Sequence, residues 1–124
     1  MIKVKQTKLH NPPETIGNCF AAVIASFLSC SIDEVPAIED VMDNGTTEWE
    51  VITQKFLNSK GYLWCDLDGH RKGHYIVIGK SPRGFNHCCI YKDGKLWHDP
   101  HPDNTGLTTE EYFEYIGRFN EFDI

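Results

Sequence analysis

The chain has 124 residues, a formal net charge of −6, 40% hydrophobic and 12% aromatic residues. That suffices for one compact domain over residues 1–124 and is too apolar for a disordered chain. The acidic balance argues against general binding to long nucleic acid, and no run is long and apolar enough to span a membrane.

The N-terminus reads M-I-K-V-K-Q-T, without the apolar core of a signal peptide, and Ile2 after Met1 does not fit a lipid anchor. A cytoplasmic protein is the expectation. Five cysteines occur, an odd number with no C-x-x-C pair, so free thiols are expected.

Residues 2–7 alternate weakly and predict a short strand. Asn11-Pro12-Pro13 and Gly17 predict a loop over 8–17. From Asn18 the pattern turns helical: Phe20, Val23, Ile24, Phe27 and Leu28 form one apolar stripe, with Asn18 as N-cap. This helix should end near Cys30, with Ser31 capping a short turn through Glu34 before Pro36. Residues 37–46 look irregular. Thr47 and Glu50 fit a capping box for a second helix, with Trp49, Ile52 and Phe56 on its buried face and Gly61 as its stop. Residues 62–67 and 74–79 predict strands. Residues 86–92 and 95–99 predict a hairpin around Asp93-Gly94. Thr108 and Glu111 would start a last short helix, and 118–122 an edge strand. Segregated helices and strands give an α+β expectation, with a central N-terminal helix packed on a mainly antiparallel sheet.

One cysteine stands apart by position. Cys19 follows the N-cap, where unpaired N–H groups and the helix dipole favour thiolate. Cys30 lies at the opposite end of the same helix, and Cys65, Cys88 and Cys89 lie in strands. Adjacent Cys88 and Cys89 should point to opposite faces. Gly17 allows a close backbone approach and leaves room for a substrate. A thiol nucleophile needs a base, held in turn by a carboxylate or amide. His87, at the start of a strand, can face a helix start. Asp99 on the next strand is the candidate to orient it. A two-residue turn would put Asp99 opposite Cys88, on the wrong face. A three-residue loop, Asp93-Gly94-Lys95 with Gly94 left-handed, pairs Lys92 with Leu96 and brings Asp99 opposite Cys89, beside His87. The triad therefore predicts the three-residue loop.

Gly17-Asn18-Cys19-Phe20 opening a buried helix, then His87 starting a strand, then Asp99 on the next, resembles the papain-like cysteine peptidase superfamily. Within it the likeness is to the bacteriocin-leader (double-glycine) peptidases and small related proteins of bacteria and phages, over Gln6 to about Pro102. Ser81-Pro82-Arg83-Gly84 and His98-Asp99-Pro100-His101-Pro102 also resemble those small relatives. The resemblance implies a papain-like fold and a Cys19-His87-Asp99 triad, with no cofactor. It also implies a glutamine donating to the oxyanion. The usual place, six residues before the cysteine, is Pro13; Gln6 is the available candidate, beside the Cys19 N–H.

His70 to Gly84 holds Arg71, Lys72, Lys80 and Arg83 with His70 and His74, and no acidic residue. A basic stretch just before His87 suggests an anionic ligand, a carboxylate or phosphate. Arg83 is the leading contact, with Asn18 and Ser81 as further substrate-binding candidates. The expected activity is that of a cysteine hydrolase, a peptidase or amidase. The alternatives are a cysteine-dependent hydrolase of a small anionic or nucleotide ligand, of phage counter-defence type, and a non-catalytic papain-fold binding module. A metal site in His98-Asp99-Pro100-His101-Pro102-Asp103 ranks below these, since its prolines and close spacing make convergence awkward. The sequence leaves the oligomeric state open.

Overall fold

A computed structural model gives the structure of residues 1–42 and 45–122. The predicted central helix forms as α1, Cys19–Leu28. Burial exceeds the apolar stripe: Phe20 through Phe27 are all buried. The one hydroxyl among them, Ser26 Oγ, is satisfied. It donates to the Ala22 carbonyl at 2.8 Å and accepts from the Val4 N–H at 3.0 Å. Ser29 ends the helix at φ 54, its N–H turned back onto the Ala25 and Ser26 carbonyls. Ser31 then caps a 3-10 turn, Ile32–Glu34, and the Glu34 carboxylate accepts from the Ser31 N–H at 2.9 Å.

The stretch expected to be irregular contains a short helix, α2 (Glu39–Met42); Asp43 and Asn44 lie outside the described residues. The second predicted helix is α3, Glu48–Ser59. Thr47 sits at its N-cap without a side-chain capping bond, so the expected Thr47–Glu50 box does not form. Instead the Thr46 hydroxyl accepts from the Glu48 N–H at 3.3 Å. Gly61, at φ 85, ends the helix as expected.

Five strands follow: β1 (Tyr62–Leu67), β2 (His74–Lys80), β3 (Asn86–Lys92), β4 (Lys95–His98) and β5 (Tyr112–Arg118). They make one antiparallel sheet in the order β1-β5-β2-β3-β4. The fold is thus α+β, with α1 against β3 and α3 against β1. Apolar side chains cover both faces. Ile76, Cys88, Ile90 and Ile116 join α1 and α3 on one side; Tyr75, Val77, Cys89 and Tyr91 form a second cluster on the other. Cys88 and Cys89 therefore do point to opposite faces.

Three expectations at the chain ends are overturned. Residues 2–7 join no ladder. Their bonds go to irregular partners: Ile2 N–H to the Ser26 carbonyl and Gln6 N–H to the Pro100 carbonyl. The predicted late helix is strand β5, between β1 and β2, and 118–122 is no edge strand: Phe119–Phe122 form a 3-10 turn. The hydroxyl of Thr108, expected to start the helix, donates to the Lys80 carbonyl instead, and the neighbouring Thr109 hydroxyl accepts from the Lys80 N–H. Alternating Phe113 and Tyr115 then bury against the far face, as a strand requires.

The hairpin corrects the expected loop and keeps its consequence. Lys92 pairs with Lys95, so the turn has two residues, Asp93 and Gly94, both at positive φ. The register then shifts: Tyr91 faces Leu96, but Ile90 faces His98. Trp97 is the extra residue, a bulge in β4. Continuing that register carries Asp99 to the level of Cys89, beside His87. The offset required for the triad comes from the bulge at Trp97, three residues past Gly94.

Candidate active site

Each member of the expected triad is placed by a different element. Cys19 opens α1, where the first-turn N–H groups have no intrahelical partner. His87 begins on β3 and is buried, 5% exposed. Asp99 follows β4, 3% exposed. His87 Nε2 and Asp99 Oδ1 are 2.6 Å apart. Asp99 is itself anchored: Oδ1 accepts from the His101 N–H at 2.9 Å and Oδ2 from the Gly106 N–H at 2.8 Å. With Nε2 committed to Asp99, Nδ1 is the ring nitrogen left for the thiol.

The electrostatics follow. Burial would raise the Asp99 carboxyl, but the hydrogen bonds from His87, Gly106 and His101 outweigh it and hold it well below the usual carboxylate range. Burial would lower His87, but its bonds to Asp99, Cys19 and Cys89 prevail and push it up to about 11. The Cys19 thiol lies well below its ordinary value. The Cys88 thiol hydrogen-bonded to it contributes most, burial opposes, and His87 adds to the lowering. Cys30 and Cys65 are raised, chiefly by burial. These shifts favour thiolate at Cys19 and imidazolium at His87, whereas the other four thiols are all pushed up.

Cys19 and His87 open onto a cleft of about 560 Å³. Its lining includes apolar Phe20, Met42, Trp49, Ile78 and Phe85. It also includes polar Gln6, Lys80, Ser81, Arg83, His101 and Glu114. Gln6 is therefore brought to the nucleophile from a distant part of the sequence. Its Nε2 donates to the Lys8 carbonyl at 2.9 Å. Its Oε1 is buried and has no partner among the described residues. The same holds for Ser81 Oγ.

Asn18 does not line the cleft. Its Oδ1 accepts from the Thr7 and Lys8 N–H groups at 3.0 and 2.9 Å, and its Nδ2 donates to the Thr7 hydroxyl at 2.8 Å. It clamps the segment that carries Gln6 rather than touching a ligand. Arg83 reaches the cleft, but its Nη1 donates to Asp103 Oδ2 at 2.6 Å, so its charge is already paired. The basic stretch divides. Lys80 and Arg83 line the cleft, whereas His70 packs on Tyr75, Tyr91 and Phe113 and Arg71 covers the Tyr115 ring at 4.1 Å. Gly17 makes room for the chain itself: a Cβ there would stand 2.9 Å from the His10 Cβ.

The histidines considered for a metal do not converge. His98 Nε2 is 2.6 Å from the Val4 carbonyl, and His101 Nδ1 is 3.0 Å from Asp103 Oδ1. A different trio does: single ligand atoms of His87, Cys89 and Asp99 lie within 4.8 Å of one another. The 2.6 Å contact of His87 with Asp99 is a hydrogen bond, closer than two ligands standing about 2.0–2.2 Å from a shared tetrahedral ion would sit.

Sequence reasoning missed Cys88, whose Sγ lies 3.2 Å from Cys19 Sγ. Strand alternation carries the signal, since the face opposite His87 and Cys89 is the face on which α1 packs. It also missed the apolar lining that α1, α2, α3 and β2 contribute. No helix among the described residues is long and apolar enough to cross a membrane. Comparison with family profiles, curated proteins and solved structures finds no match for this chain.

Proposed function

We propose that the protein is a cysteine hydrolase of papain-like type, cleaving an amide or peptide bond through a covalent thioester. The observation that carries this reading is the chain Cys19–His87–Asp99, a helix-start thiol served by a carboxylate-held imidazole at the floor of a cleft. The Cys19 thiolate attacks the substrate carbonyl carbon, and the carbonyl electrons move onto oxygen. The Cys19 N–H and the second Gln6 Nε2 hydrogen are the donors available to that oxyanion. The His87 imidazolium gives its proton to the leaving amine as the C–N bond breaks. Water, deprotonated by His87, then attacks the thioester, releasing the carboxylic acid and restoring the thiolate. Asp99 holds the ring throughout and stays ionised.

Lys80 and Arg83 on the cleft wall favour a second reading, a small anionic or nucleotide substrate. Pairing of Arg83 with Asp103 weakens it, leaving Lys80, bonded to the Asn86 side-chain oxygen at 2.8 Å, as a cleft cation with no acid partner among the described residues. A panel of fluorogenic peptides and amides, run beside cyclic and linear nucleotides, separates the two. Turnover of peptides or amides that drops by about a thousandfold or more in Cys19→Ala is the expected result. Turnover of nucleotides alone would replace the amidase reading with the second. Turnover that persists in Cys19→Ala overturns both.

A further inference from the structure

The Cys19 sulfur has a second neighbour that hydrolysis does not need. Cys88 Sγ stands 3.2 Å away, across 69 positions of sequence. Cys88 is 3% exposed, yet both cysteines border the cleft, so a small solute reaches the pair from solvent. The other thiols are excluded by position. Cys89 points to the opposite face of β3, Cys65 lies on β1, and Cys30 lies beyond the far end of α1.

From this geometry we infer that Cys19 and Cys88 form a redox-active dithiol that takes peroxides and closes to a reversible disulfide. The Cys19 thiolate attacks one oxygen of the peroxide. The O–O bond breaks, the other oxygen leaves as alcohol or water by taking the proton of the His87 imidazolium, and Cys19 becomes a sulfenic acid. The Cys88 sulfur then attacks the Cys19 sulfur, and the sulfenic oxygen departs as water with the Cys88 proton. Two thiols have lost two electrons and the peroxide has gained them. The sulfurs must close by roughly 1 Å to reach a bond length of about 2.05 Å, a side-chain displacement rather than a rearrangement of α1 on β3. A small thiol or dithiol reverses the bond. Cys88 is thereby a resolving cysteine that keeps Cys19 from advancing to sulfinic acid, and the disulfide holds the nucleophile out of action.

The inference requires Cys19 to be a reactive thiol but does not rest on what it hydrolyses, so its test reads mass rather than turnover. The intact protein is treated with a few equivalents of hydrogen peroxide, then mapped without reduction before and after dithiothreitol. The expected product is a loss of about 2 Da, a cross-link between the Cys19 and Cys88–Cys89 peptides, and full return of the thiols on reduction. The cross-link persists in Cys89→Ala and disappears in Cys88→Ala, where Cys19 proceeds to sulfinic acid that dithiothreitol does not reverse. A cross-link to another cysteine, none at all in the wild-type protein, or reversible protection of Cys19 unchanged in Cys88→Ala each overturn it. Fragmentation of the cross-linked wild-type peptide between Cys88 and Cys89 assigns the bonded sulfur without any variant, so misfolding of a variant leaves the test intact.

Discussion

The site depends on one carboxylate more than on any other residue. Asp99 accepts from His87, His101 and Gly106, so it orients the base and pins the loop after β4 at once. Asp99→Ala leaves a buried imidazolium and two N–H groups without an acceptor. It should cost about 3–5 kcal/mol in urea unfolding. Asp99→Asn keeps the shape and removes the charge, so it should cost less stability while lowering turnover by orders of magnitude. Equal losses of stability and activity in the two variants would assign Asp99 a purely structural role. Gln6→Ala is a narrower test of the oxyanion site. A fall in kcat of roughly a hundredfold with little change in KM is expected if its amide acts in the transition state. A rise in KM alone would make Gln6 a wall of the cleft and no more.

Among the elements, Gly79 sets how closely the segment before β5 approaches β2. A Cβ at Gly79 would stand 1.9 Å from the Thr109 carbonyl oxygen, which is backbone and cannot swing away. Gly79 also pairs with His87 across the sheet. Gly79→Ala should therefore destabilise by on the order of 3 kcal/mol and slow turnover together; thermal melting and a rate assay read both. The elements differ in how far the sequence announced them. Helix α1 was legible because Phe20, Val23, Ile24, Phe27 and Leu28 repeat on one face and Asn18 precedes them. Strand β5 was not, because Thr108 and Glu111 mimic a helix start while the sheet draws the following aromatics into alternation. The hairpin lies between. Cys19, His87 and Asp99 came together as their types and order suggested. The residue that sets their register, Trp97, was invisible, since a bulge is decided by packing across the strand rather than by a turn signal. Arg83 and Asn18 were read by residue type alone, and their partners Asp103, Thr7 and Lys8 could be known only from the fold.

At the scale of the whole molecule, the paired charges of the site predict an unusual pH profile of stability. His87 is raised from 6.5 to about 11, so its contribution is full below pH 6.5 and declines as pH rises toward 11. Cys19 is depressed from 9.0, so its contribution is full above pH 9 and declines as pH falls. Between these values the folded pair binds one proton, and so does the unfolded chain, whose histidine is neutral and whose thiol is protonated. Their contributions cancel in slope. Stability should rise to about pH 6.5, stay level to about 9, then fall. Cys19→Ser removes one half of the balance, and its stability should decline from pH 6.5 onward; urea midpoints across pH read the difference. A level wild-type profile that Cys19→Ser leaves unchanged would mean that the pair does not exchange its proton.

The most direct test is the rate of iodoacetamide alkylation of each cysteine from pH 4 to 10, with peptide mapping. Cys19 should reach its maximal rate well below the ordinary thiol pKa of about 8.5, while Cys30 and Cys65 still titrate above it, as their burial requires. Asp99→Asn should move the Cys19 profile upward. Alkylation of Cys19 that tracks Cys30 and Cys65 through the same pH range would contradict the thiolate–imidazolium pair.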